Sequence, residues 1–344
     1  MATRADVARL AGVSASTVSY ALSGVRPISA ETRERIESAM AELGYTPNAF
    51  ARGLAGSRTG IIALHFPFTQ RGLNASEFEY LHAASERART SGSHLLLWMN
   101  PADDLAELRR LSSQGLVDGV ILMEVQTEDA RIAVLQETGV PFVLIGRTAD
   151  TTGLSYVDSD FEEMGRLAVG HLADLGHRSI LFLSQSEQLA KDGYGPIVRG
   201  QRGVEVECAA RGLAVRVEHA AARIGAGRDV HERVRHDVPE VTAVVSMNEQ
   251  ALVGFIEAAR DQGRAVPADL SVMSLGAGDS SAELVQPALT TVSPPAAEMG
   301  ARAVDHLLKV VAGAGGEIQE LITAPLHVRA STAAAPSAPS SSRE

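Results

Sequence analysis

Residues Leu10–Gly24 read LAGVSASTVSYALSG. Val18, Ala21 and Leu22 recur at i, i+3 and i+4, so one face of a helix is buried there. Ala15, Ser16, Ser19 and Tyr20 are left on the other face, which is short, polar and uncharged, a surface suited to close approach by another molecule. Upstream, Ala8 and Gly12 complete the spacing of a helix-turn-helix: a small residue where two helices cross, a glycine in the turn, and a β-branched core residue on the second helix. Working outward, helices are predicted over Arg4–Leu10, Ser14–Leu22 and Ala30–Leu43. Ser14 and Ser29 serve as N-caps, and Gly12 and Gly44 stand where the chain leaves a helix. Val7, Leu10, Val13, Val18, Leu22, Ile36, Met40 and Leu43 are the expected core of this head, residues 1–46.

Residues 47–58 read as a linker with one marginal helix. Pro47 suits a first helical position, whereas Gly53 and Gly56 weaken the helix toward its end. Such a helix forms only when packed against something. From Ile61 the pattern changes to short apolar runs alternating with helical periods. Strands are expected at Ile61–His65, Leu95–Met99, Gly119–Met123, Phe142–Gly146, Ser179–Leu183, Thr242–Ser246 and Leu270–Leu275. Helices are expected between them, among them Glu77–Thr90, Leu105–Ser113, Phe161–Leu175, Val198–Arg211, Glu249–Gln262 and Ala296–Val311. This alternation implies parallel sheets covered on both faces, divided into two lobes because the strands are too many for one sheet. The fold class is therefore an all-α head followed by a two-lobed α/β core, with ligands favoured in the cleft at the carboxyl ends of the strands. Residues 331–344, rich in Ala, Pro and Ser, read as a disordered tail.

The 344 residues carry a formal charge of −11, distributed unevenly. Residues 1–58 hold seven arginines against five acids, a basic head on an acidic body. Met1–Leu10 has no apolar leader, so the chain is expected in the cytoplasm. A single cysteine, Cys208, excludes an internal disulfide and any cysteine-based zinc cluster. There is no P-loop, HExxH, GxSxG elbow or strand-borne GxGxxG. No catalytic residue, metal or cofactor is therefore expected.

The run DVARLAGVSASTVSYALSG, then ISAETRERIESAMAELGYTPNAFARGLAG, resembles the LacI/GalR family of bacterial transcriptional regulators. Further blocks sustain the resemblance over residues 3–329: VDGVIL from Val117, FVLIGR from Phe142, VDSD from Val157, LGHRSI from Leu175 and PALTTVSPPAAEMG from Pro287. It implies a homodimer, or a higher assembly, that represses from a near-palindromic operator in double-stranded DNA. A periplasmic-binding-protein-like core would bind a small effector, a sugar or other polar metabolite. The implied lobes are residues 59–157 with 290–320, and 158–289 with 321–330. Ser14, Ala15, Ser16, Thr17, Ser19 and Tyr20 would meet the major groove, where an alanine methyl suits a thymine methyl. Tyr20 either reaches a base or packs on the sugar-phosphate backbone. The helix at Pro47–Ala55 matches the family hinge. It brings Asn48, Ala51, Arg52 and the wedge Leu54 to the minor groove, where unstacking a step costs a few kcal/mol.

For the effector the resemblance places Phe66, Phe68, Arg147, Arg199, Asn248 and Glu249 at the cleft. Arginine suits a carboxylate or ring hydroxyls, and Asn-Glu suits sugar hydroxyls. Ser274–Ala277 stands where the family often has a Gly-aromatic-Asp-Asp segment, so an acid that commonly holds the ligand is missing. Two other readings remain open at this point: a solute-binding protein of periplasmic type without DNA function, and an effector-independent regulator.

Overall fold

The computed structural model describes residues 2–23, 26–45, 58–67, 75–314 and 316–336. The head consists of α1 (Arg4–Ala11), α2 (Ala15–Ser23) and α3 (Ala30–Leu43). Thr3 and Asp6 form a reciprocal capping box on α1, and Gly12, at φ +66°, releases the chain. Ser14 Oγ accepts from Thr17 N at 3.0 Å and Ser29 Oγ from Thr32 N at 3.2 Å, as helix starts require. Val7, Ala8, Ala11, Val18, Ala21, Ile36 and Ala39 make the core. Leu10, expected inside, is 46% exposed: the inward stripe of α1 runs through Val7 and Ala11, which leaves Leu10 on the outer face.

Two six-stranded sheets make up the rest. The first contains β1 (Ile61–His65), β2 (His94–Trp98), β3 (Gly119–Leu122), β4 (Phe142–Ile145), β5 (Tyr156–Ser159) and β11 (Gln319–Ile322), in the all-parallel order β11-β5-β4-β3-β1-β2. The second contains β6 (Ser179–Ser184), β7 (Ala214–His219), β8 (Ala243–Ser246), β9 (Ser271–Leu275), β10 (Thr290–Val292) and β12 (Leu326–His327). Its order is β12-β10-β9-β8-β6-β7, and only the β10–β12 pair is antiparallel.

Helices cover both faces of each sheet, as parallel strands demand. On the first lie α4 (Ala75–Thr90), α5 (Leu105–Ser113), α6 (Ala130–Thr138) and α13 (Ala296–Val311). On the second lie α7 (Phe161–Asp174), α9 (Gly195–Arg211), α10 (Ile224–Asp237) and α11 (Glu249–Asp261). The short helix α8 (Glu187–Lys191) leads from β6 to α9, and α12 (Asp279–Leu284) lies between β9 and β10. No helix among the described residues is long and apolar enough to cross a membrane.

Three of the expected boundaries move. Thr290–Val292 pairs with β9, and Leu321–Ile322 pairs with Asp158–Ser159, so the crossings between lobes come after Ser159, Val292 and Ile322 instead of 157, 290 and 320. The tail reading also changes for residues 331–336. Ser331 is fully buried, its carbonyl accepts from Val272 N at 2.8 Å, and Ala335 N donates to Leu175 O at 2.8 Å. This segment is bound through backbone groups and small side chains, which a composition-based reading of disorder does not register. Residues 337–344 lie outside the described part.

Candidate DNA-reading head and interlobe cleft

At the start of α2, Ser14, Ala15 and Ser16 are exposed, while Thr17, Ser19 and Tyr20 are half-buried. Ser14 is engaged in capping, and its hydroxyl also meets that of Thr17 at 2.8 Å. Ser19 Oγ accepts from Arg4 Nη1 at 2.9 Å, and the Arg26 guanidinium lies 5.4 Å from the centroid of the Tyr20 ring. The uncharged face is therefore flanked by two cations, one of them in a cation–π contact. Arg4 and Arg26 were not singled out from sequence. The arginine surplus of the head was their only signal. Asn48, Ala51, Arg52 and Leu54 lie outside the described residues, as does Phe68.

Between the lobes, α4 faces the carboxyl ends of β8 and β9 across a cavity of ≈ 100 Å³ walled by Ser76, Glu77, Tyr80, Phe161, Tyr194 and Glu249. A further space of ≈ 60 Å³, sharing Glu77, Tyr80, Phe161 and Tyr194 with it, extends along the first lobe to Phe66, Glu124 and Asp158. Phe66 is 2% exposed and supplies apolar wall, in keeping with its placement at the end of β1. Glu249 lines the cavity and hydrogen-bonds Ser281. Burial, with the nearby Glu77 carboxylate adding to it, holds its carboxyl above the usual range. The Tyr80 phenol is pushed up by burial and by Asp158, Glu77 and Glu79, so it stays protonated. Glu124 adopts φ +54°, a left-handed conformation uncommon outside glycine and most frequent at functional sites.

The other expected effector residues have different duties. Asn248 is fully buried. Its Oδ1 accepts from Ala251 N at 3.1 Å, capping α11, and its Nδ2 donates to Ala220 O at 2.9 Å. With both ends satisfied, it presents nothing to the cavity. Arg147 donates to Asp158 Oδ2 at 3.0 Å. Arg199 donates to the carbonyls of Arg147 and Thr148, with Nη1 3.8 Å from Asp158. Both guanidiniums thus serve an ion-pair latch joining α9 of the second lobe to the first. Backbone and hydroxyl bonds add to it: Ser76 Oγ to Gly276 O at 3.0 Å, Gly278 N to Ser76 Oγ at 3.0 Å, Thr127 N to Gly193 O at 2.7 Å and Gly195 N to Val125 O at 3.1 Å. The lobes are closed on each other. Ser76, Glu77, Tyr80, Glu124, Phe161 and Tyr194 are the cleft residues that sequence reasoning missed.

Asp158 is 1% exposed, and burial pushes its carboxyl up to about 6 against the pull of Arg147 and Arg199. Its folded value lies above its unfolded value, so the folded state binds more protons in that window, and this group's contribution to stability falls as pH rises from about 4 to about 6. Above that it is ionised and holds the latch. The stability difference between wild type and Asp158→Asn, measured by urea unfolding, is expected to decrease between pH 4 and 6 and stay level from 6 to 8. A difference that grows with pH would show that the arginines outweigh burial.

A helix-turn-helix head carried by two parallel-sheet lobes closed around a cleft defines a one-chain regulator that couples DNA binding to a small molecule. The comparisons make the class specific. The model of bacterial regulatory proteins of the lacI family matches residues 3–48, and that of the periplasmic binding protein-like domain matches residues 169–332. The HTH-type transcriptional regulator AglR of Rhizobium meliloti (strain 1021) is 31% identical over 348 residues, spanning 96% of this chain and 94% of its own. The lac repressor dimer bound to operator and the anti-inducer ONPF superposes with a TM-score of 0.80 at 26% identity, over 97% of this chain and 99% of that one. The complex of the transcriptional regulator CelR with cellobiose gives 0.72 at 26% identity, over 96% and 100%. The chain belongs to the LacI family of bacterial transcriptional regulators, with a DNA-binding head and an effector-binding core. These relatives are transcriptional regulators, not enzymes.

Proposed function

We propose that this regulator represses transcription as a cytoplasmic homodimer on a near-palindromic operator and that a sugar-like effector between its lobes sets operator affinity. The observation that carries the reading is the exposed, uncharged start of α2, flanked by Arg4 and Arg26, on a head of its own core. Small side chains allow the helix to approach base edges, its amide N–H groups favour a phosphate, and Ser16 and Ala15 lead. Tyr20, held under Arg26, packs at the sugar-phosphate rim. Pairing is supported by exposed apolar side chains of the first lobe: Phe78 on α4 at 61%, Leu96 and Leu97 on the edge strand β2 at 40% and 38%, and Met99 just beyond at 40%. An edge strand with such side chains is normally covered.

Selection from a randomised duplex pool with the purified protein, with and without candidate effectors, is expected to return a two-fold symmetric site with a flexible central step. An asymmetric site, or none, overturns the dimeric repressor reading. Leu54→Ala is expected to weaken binding to that site ~10-fold or more while leaving random-sequence duplex nearly unaffected, because a minor-groove wedge acts only where DNA is bent. Equal losses on both would remove the wedge from the mechanism. Fluorescence anisotropy over a salt series checks both affinities.

A further inference from the structure

The chain passes from the linker into the first lobe at residues 58–60, and two charged side chains hold it there. Asp118, just before β3, uses both carboxylate oxygens. Its Oδ1 accepts from Thr59 N at 2.7 Å and Thr59 Oγ1 at 2.9 Å, and its Oδ2 accepts from Gly60 N at 2.8 Å. The Asp118 amide donates to Ile61 O at 2.7 Å, which ties this fork to the start of β1. Thr59 is buried beneath it.

Arg58 completes the hold. The last four carbonyls of a helix have no partner within it. In α13, Leu308 O accepts from Ala312 N, Lys309 O from Ala314 N and Val310 O from Gly313 N, each at 3.0 Å. The fourth, Val311 O, accepts from Arg58 Nη2 at 2.9 Å, which sets a cation at the negative end of the helix dipole. This end of α13 is seated on the start of β3: a Cβ on Gly119 would lie 2.7 Å from Leu307 Cδ1 and 3.1 Å from Val311 Cγ2. Residues 58–60, the end of α13 and the start of β3 thus form one clamp. Because α13 begins at Ala296 in the cavity wall, ~24 Å of helix runs from the cleft to the clamp.

Arg58 is one of the seven arginines of the basic head and linker, and composition alone allots it to DNA phosphates. The fold commits it to a carbonyl instead. Leu54 precedes it by four residues, so even an extended chain keeps the wedge within ~14 Å of the clamp. Fixing that end in advance lowers the ordering cost of seating the wedge at the operator centre.

We infer that Arg58 and Asp118 are positioning residues for operator binding: they fix where the linker leaves the first lobe, and neither touches DNA. The inference rests on the operator-binding reading above.

Fluorescence anisotropy of the full chain on its selected site and on random-sequence duplex, over a salt series and alongside melting midpoints, tests it. Arg58→Met keeps the length of the side chain and removes its donors. It is expected to weaken the selected site ~10-fold or more and random duplex hardly at all, since only a seated wedge needs the clamp. Midpoint and salt slope should stay as in the wild type. A lost phosphate contact would instead weaken both duplexes and lower the slope by ~0.9, twice that in a dimer. Asp118→Asn sets amide N–H groups against backbone N–H groups and should weaken the selected site by as much. The sign is decisive, because removing an anion near DNA strengthens binding when charge alone acts. A lower slope or a lower midpoint for Arg58→Met, tighter binding by Asp118→Asn, or wild-type affinity in both variants overturns the inference while operator binding stands. If the wild type selects no site, the operator reading fails, and the inference fails with it.

Discussion

Replacing Gly227 or Gly254 by alanine is expected to lower the thermal midpoint by ten degrees or more, or to leave the protein insoluble. The two glycines lie at the crossing of α10 and α11, Gly227 against the backbone of Ala251 and Gly254 against that of Ile224. A Cβ on Gly227 would enter the van der Waals volume of Ala251 O, and one on Gly254 that of Ile224 O. Both obstacles are backbone carbonyls inside helices, so no rotamer change relieves them. The helices must separate, loosening Val230, Val234, Leu252, Phe255 and Ile256 in one core cluster. Overpacking costs about 1–3 kcal/mol and more where the backbone itself must shift. In a lobe of this size each kcal/mol moves the midpoint by roughly 2–4 °C. Once one glycine has forced the helices apart, the second substitution meets an open gap. The double variant should therefore be far less destabilised than the sum of the singles. Gly316→Ala, with nothing within 4 Å of its Cβ position, is the control and should leave the midpoint unchanged. Scanning calorimetry of the wild type and the four variants decides the matter. Additive losses would mean the two positions are independent, contrary to the crossing.

Ending the chain after Ala330 is expected to be nearly as damaging, whereas ending it after Pro336 should be neutral. Ser331 gives its carbonyl to Val272 N and its hydroxyl oxygen to Thr290 N, each at 2.8 Å. Ala333 N donates to Ser271 Oγ at 3.0 Å. The fully buried His177 meets Thr242 through Nδ1 and both Ser271 and Ala333 O through Nε2. A carbonyl accepts only, so Nε2 carries the proton. Truncation leaves the Val272 and Thr290 amides without partners in the interior, at about 1–3 kcal/mol apiece. Operator binding at low temperature should survive, with a midpoint ~10 °C lower. An unchanged midpoint would show that water replaces the tail without cost.

The alternation of apolar runs and helical periods was legible because buried parallel strands are short and almost wholly apolar: β1, β3, β4 and β8 fall where the pattern puts them. What escaped was chemistry that composition disguises. The α10 sequence, IGAGRDVHERVRHD, is polar and contains two glycines, one of which serves the helix crossing. The half-exposed strand β7 carries an arginine between its two valines and a glutamate and a histidine after them. In the cleft, Phe66 and Glu249 line the cavities, whereas Asn248 caps α11, since asparagine at a strand–helix junction is also an excellent N-cap. Arg147 and Arg199 line neither of the cavities described above and are engaged in an ion pair instead. Their partner, Asp158, lies in the VDSD block, yet only the folded chain brings it to Arg147 and Arg199.

The exchange of strands between lobes also governs the order of events on the ribosome. The first sheet is incomplete until β11, and the second until residues 331–336 have been made, whereas the core of the head is complete within the first forty-five residues. At roughly 5–20 residues per second, the head spends on the order of 15–60 s outside before either lobe can close. Throughout that interval the growing chain has its DNA-reading surface but no finished sensor, so control by the effector begins only after synthesis is nearly over.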